Sequence, residues 1–146
     1  MADLYASMTE LEANTVEGVD WQIVTKENPD EDIIATAIHG GSIESGSTEL
    51  ATLISEKGGY SLFSFEGIRS SNNSELHVTS THYDDSTALR MVSNNKVAIS
   101  VHGASGTEQL VNVGGLDFSL RNAIWEELTK KGINAVIPPN SIIGQE

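Results

Sequence analysis

The chain has 146 residues, 38% of them hydrophobic, which suits a single domain (1–146) large enough to bury a core. No stretch approaches the ~18 apolar residues of a membrane-spanning helix, and the opening MADLYASMTELEAN lacks the basic flank and apolar run of a secretory leader, so the expectation is a cytoplasmic protein or one released by lysis. Cysteine is absent, and 21 acidic residues stand against 8 basic ones, a net charge of −13; this excludes disulfides and thiolate metal sites and argues against nucleic acid as a partner.

Residues 1–18 read as a polar lead-in with a short helical piece. Two apolar runs follow, VDWQIVT (19–25) and DIIATAIHG (32–40), with the turn-forming KENPDE between them, and their spacing predicts a hairpin-like pair. Ile43, Leu50, Leu53 and Ile54 recur at helical spacing over 43–57, and Gly58-Gly59 ends that helix. GYSLFSFEG (59–67) predicts a strand, RSSNNS a loop, and ELHVTSTH (75–82) a further strand. Asp84 or Asp85 can cap a short helix carrying Ala88, Leu89 and Val92. NKVAISVHG (95–103) and QLVNVGG (109–115) read as strands. Asp117 opens a helix that closes on Lys130-Lys131-Gly132, and INAVI (133–137) is the last strand. Strands interleaved with helices predict an α/β fold, a mixed sheet flanked by helices.

Two of the predicted strands finish on histidine and glycine, IIATAIHG at His39 and VAISVHG at His102. Period-two alternation puts His39 on one face with Ala35 and Ala37, and His102 with Ala98 and Ser100. The carboxyl edge of an open α/β sheet is where ligands bind. After His39, Gly40-Gly41 allows a sharp reversal, Ser42 can cap the next helix, and Glu44 then falls in its first turn, facing back toward the imidazole. Two neutral imidazoles and a carboxylate, with a fourth position for water, make the donor set of a catalytic zinc ion, Zn2+. A lone strand-end histidine is more often a hydrogen-bonded boundary residue, so the motif by itself leaves both readings open.

The blocks HGGSIESGSTEL (39–50), LHVTSTHYDD (76–85), SVHG (100–103) and VGGLDFSLRNAIWEEL (113–128) occur in this order, and together they resemble the phage-type poly-γ-glutamate hydrolases. These are zinc-dependent peptidases with a carboxypeptidase-like α/β fold, and the likeness runs from about Val19 to about Val136. The resemblance implies that His39, Glu44 and His102 hold the metal, the same three residues that the bare chemistry selects. It implies a poly-γ-glutamate or related γ-glutamyl substrate, with His77 lining the substrate cleft and Arg121, in the LRN motif, gripping a substrate carboxylate. Arg121 could equally pair with a surface acid, and His77 and His82 could be ordinary strand histidines bonded to a neighbouring carbonyl. Trp125 reads as a packing residue.

One feature departs from the family pattern. Its members continue into a segment of the type GVQLE, whose glutamate serves as general base, and nothing in PPNSIIGQE at the end of this chain matches it. The expectation is a chain that carries the metal shell and lacks the family's carboxyl-terminal part, the general base being unassigned. An inactive metal- or polymer-binding module is therefore the alternative to a zinc hydrolase. A phosphate-binding α/β domain ranks below both, because GxxxxGK[ST] and GxGxxG patterns are missing. The sequence leaves the oligomeric state open.

Overall fold

The computed structural model describes residues 2–139. They fall into two compact units, divided between Ala104 and Ser105.

The first unit holds a four-stranded sheet. Its elements in order are helix α1 (Met8–Asn14), strands β1 (Trp21–Lys26) and β2 (Ile33–Gly41), helix α2 (Ser47–Gly58), strand β3 (Ser61–Gly67), helix α3 (Ser86–Ser93) and strand β4 (Val97–Ser100). The spatial order is β1-β3-β2-β4. β2 runs parallel to β3 and to β4, while β1 runs antiparallel to β3. The sheet is thus mixed, as the alternation of elements predicted. The expected hairpin of the two first runs does not form, because β3 lies between them. The reason is burial: β2 and β3 are apolar on both faces and take the centre, whereas β1 exposes most of its residues and suits an edge.

The two faces are built differently. On one, Ala35 and Ala37 of β2 pack with Ala51 of α2 and Leu62, small side chains that let the helix approach closely. On the other, Ile34, Ile38, Phe63 and Phe65 form the main core with Met8, Leu11, Trp21, Leu76, Val78, Ala88 and Met91. The lead-in is therefore more than a polar arm. Met8 and Leu11, one turn apart on α1, are fully buried.

Three further expectations need correcting. The segment 75–82 is not a strand: Asn73–Leu76 and Ser80–His82 are 3₁₀ turns, with residues 77–79 extended between them and paired to no strand. His77 and His82 accordingly do not alternate across a sheet. α2 starts at Ser47 with Gly46 as its cap, so Ser42 caps nothing and Glu44 sits in the turn before the helix. β4 ends at Ser100, which leaves His102 two residues past the strand.

The second unit contains strands β5 (Val111–Asn112) and β6 (Ala135–Val136), a parallel pair, with helix α4 (Phe118–Lys130) between them in sequence. Asp117 caps α4 by accepting the Leu120 N–H at 3.0 Å, and Lys130 lies in its last turn. Gly132 follows at φ 76°, a left-handed conformation that glycine adopts without strain. The Trp125 indole donates to the Ala135 carbonyl at 2.9 Å and ties helix to strand, a directional role beyond the packing expected of it. Among the described residues, no helix is long and apolar enough to cross a membrane.

Candidate metal centre

The site forms where β2 stops behaving as a regular strand. Opposite β3 the register shifts between Ala37 and Gly40, so an extra residue stands against Phe65. A bulge of this kind re-aims side chains. His39 does not stay on the Ala35–Ala37 face; its ring meets Tyr83 edge-on at 6.4 Å, and Tyr83 packs against the main core. Immediately after it, Gly40 is locked in place, since a Cβ there would clash with Thr48 Oγ1, the Phe65 carbonyl and Ser64 Oγ. Gly41, at φ 62°, makes the reversal. Glu44 N–H then bonds back to the His39 carbonyl at 2.9 Å, closing the turn that carries the carboxylate to the imidazole.

His39 is 2% exposed. Its Nε2 lies 2.7 Å from the Val78 carbonyl, which can only accept, so Nε2 carries the proton and Nδ1 presents a lone pair. That Nδ1 is buried and makes no hydrogen bond among the described residues. It stands 3.4 Å from Glu44 Oε1. A buried acceptor without a donor costs about 1–3 kcal/mol, and a cation beside the carboxylate resolves it.

Glu44 receives the Gly103 N–H on Oε2 at 2.8 Å, and the same oxygen lies 3.5 Å from His102 Nδ1. Burial alone would raise this carboxyl's pKa. The His102 and His39 imidazoles and the Gly103 N–H outweigh burial and hold it well below the usual carboxylate range, so it stays ionised. His77 stacks on His39 with ring centroids 4.0 Å apart, and its Nε2 is 3.9 Å from Glu44 Oε1. The rings of His39 and His102 are 5.2 Å apart. Donor atoms of His39, Glu44 and His77 all fall within 4.8 Å of one another, the spacing of a metal-holding group.

Zinc bonds nitrogen and oxygen at about 2.0–2.2 Å in tetrahedral directions, which sets neighbouring donors about 3.3–3.5 Å apart. The His39–Glu44 separation of 3.4 Å suits that requirement at Oε1, which His77 approaches to 3.9 Å. His102 stands 3.5 Å from the other oxygen, Oε2, and is not among the three residues whose donor atoms lie within 4.8 Å of one another. The cluster is closed at His39 and opens outward, the side chains of His102 and His77 being 30% and 35% exposed. A ligand can therefore approach from the side of these two.

The structure thus brings His39, Glu44, His77 and His102 together within the first unit. Arg121 belongs to α4 of the second, where its guanidinium lies 4.5 Å over the Phe118 ring and donates to Asn122 Oδ1 at 3.1 and 3.2 Å. Three participants escaped sequence reading: Asp3, whose carboxylate bonds His77; the Val78 carbonyl; and the Gly103 amide. Main-chain groups leave no trace in residue type. Asp3 lies 74 residues from its partner in an unremarkable acidic lead-in.

Known proteins match this chain in sequence and in fold. YndL of Bacillus subtilis (strain 168), a UPF0714 protein, is 40% identical over 135 residues, covering 92% of this chain and 52% of its own length. The solved bacteriophage poly-gamma-glutamate hydrolase superposes with a TM-score of 0.94 at 38% identity, over 99% of this chain and 70% of that one. A structure of YndL described as its zinc-free apo form gives 0.88 at 39% identity, over 94% of this chain and 66% of that one. This chain spans about half the length of the curated relatives it matches. Its α/β fold is that of the phage enzyme. Residues 5–146 match the family described as Poly-gamma-glutamate hydrolase, and the chain belongs to that family.

Proposed function

We propose that this chain is a zinc-dependent hydrolase of γ-glutamyl isopeptide bonds, with His39, Glu44 and His102 as the metal's protein ligands. The observation that carries the reading is the buried lone pair of His39 Nδ1, aimed at an ionised Glu44 and left without a donor. Family membership supports the substrate class, and the description of YndL's apo form as zinc-free supports the metal. When bound, zinc supplies Lewis acidity toward a carbonyl and a water that ionises near neutral pH.

The chain's own groups account for the rest. The Val78 carbonyl keeps the His39 proton on Nε2, so Nδ1 is a permanent donor. The Gly103 N–H holds Glu44 in place, and Glu44 keeps its negative charge throughout the working pH range. His77, at the open side, meets the incoming chain. Arg121 is assigned to a glutamyl α-carboxylate, which a guanidinium binds bidentately.

A non-hydrolytic, metal-dependent polymer-binding module is the second reading. It is favoured by the engagement of both carboxylates described around the histidines: Glu44 faces the imidazoles, and Asp3 is taken up by His77 and Thr79. Among these two, neither is left to accept a proton from water.

Elemental analysis after dialysis against micromolar zinc should find about one zinc per chain, falling away in His39→Ala/His102→Ala. Incubation with purified polymer should release new amino termini, and a chelator should stop the release. Arg121→Ala should lower kcat/KM by roughly tenfold or more with zinc content unchanged. Equal zinc in parent and double variant would remove the metal reading, and polymer retained but uncut would establish the binding module.

A further inference from the structure

The geometry points to Asp3 as a positioning residue of the metal centre, one that acts through His77. This inference rests on the zinc reading above and extends it to the amino-terminal segment. Asp3 Oδ1 is 2.7 Å from His77 Nδ1, while Oδ2 accepts the Thr79 N–H at 2.6 Å and the Thr79 hydroxyl at 2.7 Å. Three donors converge on one carboxylate, whose pKa is accordingly held at about 2 although burial works the other way. An ionised carboxylate can only accept, so the His77 proton sits on Nδ1 and Nε2 is turned toward Glu44.

His39 and His77 are thereby set in opposite ring states. His39 is protonated at Nε2 by its bond to the Val78 carbonyl and presents Nδ1; His77 is protonated at Nδ1 by its bond to Asp3 and presents Nε2. Their rings stack 4.0 Å apart at 28°, so the two presented nitrogens share the space beside Glu44. Three consecutive residues, His77, Val78 and Thr79, carry the ring, the carbonyl and the clamp. The segment belongs to no strand; the His77 N–H bond to the Ser74 carbonyl, the Val78 carbonyl's bond to His39 and the burial of Val78 hold it from within. Asp3 is what anchors it from outside, and His77 so held is an additional donor to the centre.

Asparagine at position 3 keeps the shape but can accept at only one of the two oxygens, so either His77 or Thr79 loses its acceptor. In metal-free, ¹⁵N-labelled protein at pH 8, long-range ¹H–¹⁵N correlations should show the neutral His77 ring protonated at Nδ1 in the parent. Asp3→Asn should abolish that preference. Zinc affinity, read by competition with a chromophoric chelator, should drop about 10–100-fold in Asp3→Asn, the usual effect of losing a group that orients a ligand. Asp3→Asn combined with His77→Ala should bind zinc no more weakly than His77→Ala alone, because the first change works through the second. Thr79→Val, which removes one bond to Asp3 and leaves His77's partner in place, is the control for a merely structural contact and should change affinity little. An unaltered His77 ring state in Asp3→Asn overturns the proposal, as do affinity losses that simply add. If the parent takes up no zinc, the metal reading fails, and the nitrogen correlations alone decide the role of Asp3.

Discussion

One wall of the histidine cluster is sheet and the other is not; both bury apolar side chains in the main core, and the second is pinned by carboxylates as well. On the sheet side, β2 and β3 pair along most of their length, and Phe63, Phe65, Ile34 and Ala35 are essentially inaccessible to solvent. On the other side, residues 2–15 and 73–85 contain no strand, and carboxylates join them: Asp3 to His77 and Thr79, Asp84 to Thr9, and Glu12 beside Asp85. A wall of buried hydrocarbon and backbone ladders is indifferent to mild changes of pH. A wall pinned by carboxylates is tuned by it. The sheet side fixes where His39 lies, and the other side decides which way His39 and His77 face.

The strongest way to break this division is to hollow the sheet wall. Phe63 is fully buried between the strands and the T-shaped contact of its ring with Tyr83, centroids 6.5 Å apart. Phe63→Ala should cost about 3–5 kcal/mol. Thermal melting should then shift down by roughly ten degrees or more. Urea unfolding gives the free energy directly, and a loss below about 1 kcal/mol would mean that the wall carries far less of the stability than its burial indicates.

The same division explains what could be read in the sequence. β2 and β3 were legible because buried central strands are continuous apolar runs, and α3 and α4 because Asp85 and Asp117 announce their caps. His39 and Glu44 could be read as neighbours because a glycine turn joins them, whereas His77, whose donor atom lies within 4.8 Å of theirs, was read from the sequence only as a cleft residue. The wall of loops was not legible. ELHVTSTH alternates like a strand, yet its apolar residues Leu76 and Val78 enter the core from 3₁₀ and extended backbone, and it pairs with no strand among the described residues. The bulge at Ala37–Gly40 was equally hidden, since the alternation of Ala35, Ala37 and His39 looks regular until the register against β3 is known. Tertiary pairing, absent from any local pattern, decided both.

The middle-sized effect belongs to Glu12, and it is a matter of pH. Burial first, then the neighbouring Asp85 and further acids, raise its carboxyl from 4.5 to about 7. One of its oxygens, and the Tyr83 hydroxyl, are buried without a hydrogen-bond partner among the described residues. Because the folded pKa lies above the unfolded one, the stabilisation from this group is complete below about pH 4.5 and is lost as pH rises through 7. Asp3 has the opposite sign: lowered from 3.8 to about 2, it stabilises above 3.8 and that contribution disappears on acidification toward 2. Glu12→Gln supplies an amide that donates to Asp85 at every pH, as the protonated carboxyl does. The variant should therefore flatten the fall in melting temperature between pH 4.5 and 8. At pH 8 it should gain about 1 kcal/mol, a figure discounted for the solvent that reaches this half-buried group. A parallel pH profile in parent and variant would place the titration elsewhere.

The smallest expected change sharpens the comparison most, because it should touch one wall and leave the other alone. α1 has only seven residues, too few to be stable without outside help. Ser7 caps its start by accepting the Glu10 N–H at 3.1 Å, and Glu10 reaches back to the Ala6 N–H at 2.6 Å. Thr9, in the first turn, has its N–H and hydroxyl bound by the two oxygens of Asp84 at 3.0 and 2.7 Å. These bonds keep the Asp84 pKa below its ordinary value, and they fasten α1 to the start of α3 from the solvent side. Asp84→Ala removes both, at about 0.5–1.5 kcal/mol for each hydrogen bond, reduced here because water can replace them on an exposed surface. Global stability should fall by only about 1 kcal/mol, while amide hydrogen exchange in residues 8–14 should quicken several-fold through local opening. Exchange in β2 and β3 should stay as slow as in the parent apart from that global change. If the sheet amides quicken as much as those of α1, the two walls unfold as one, and the loops are held by the core instead of by their carboxylates.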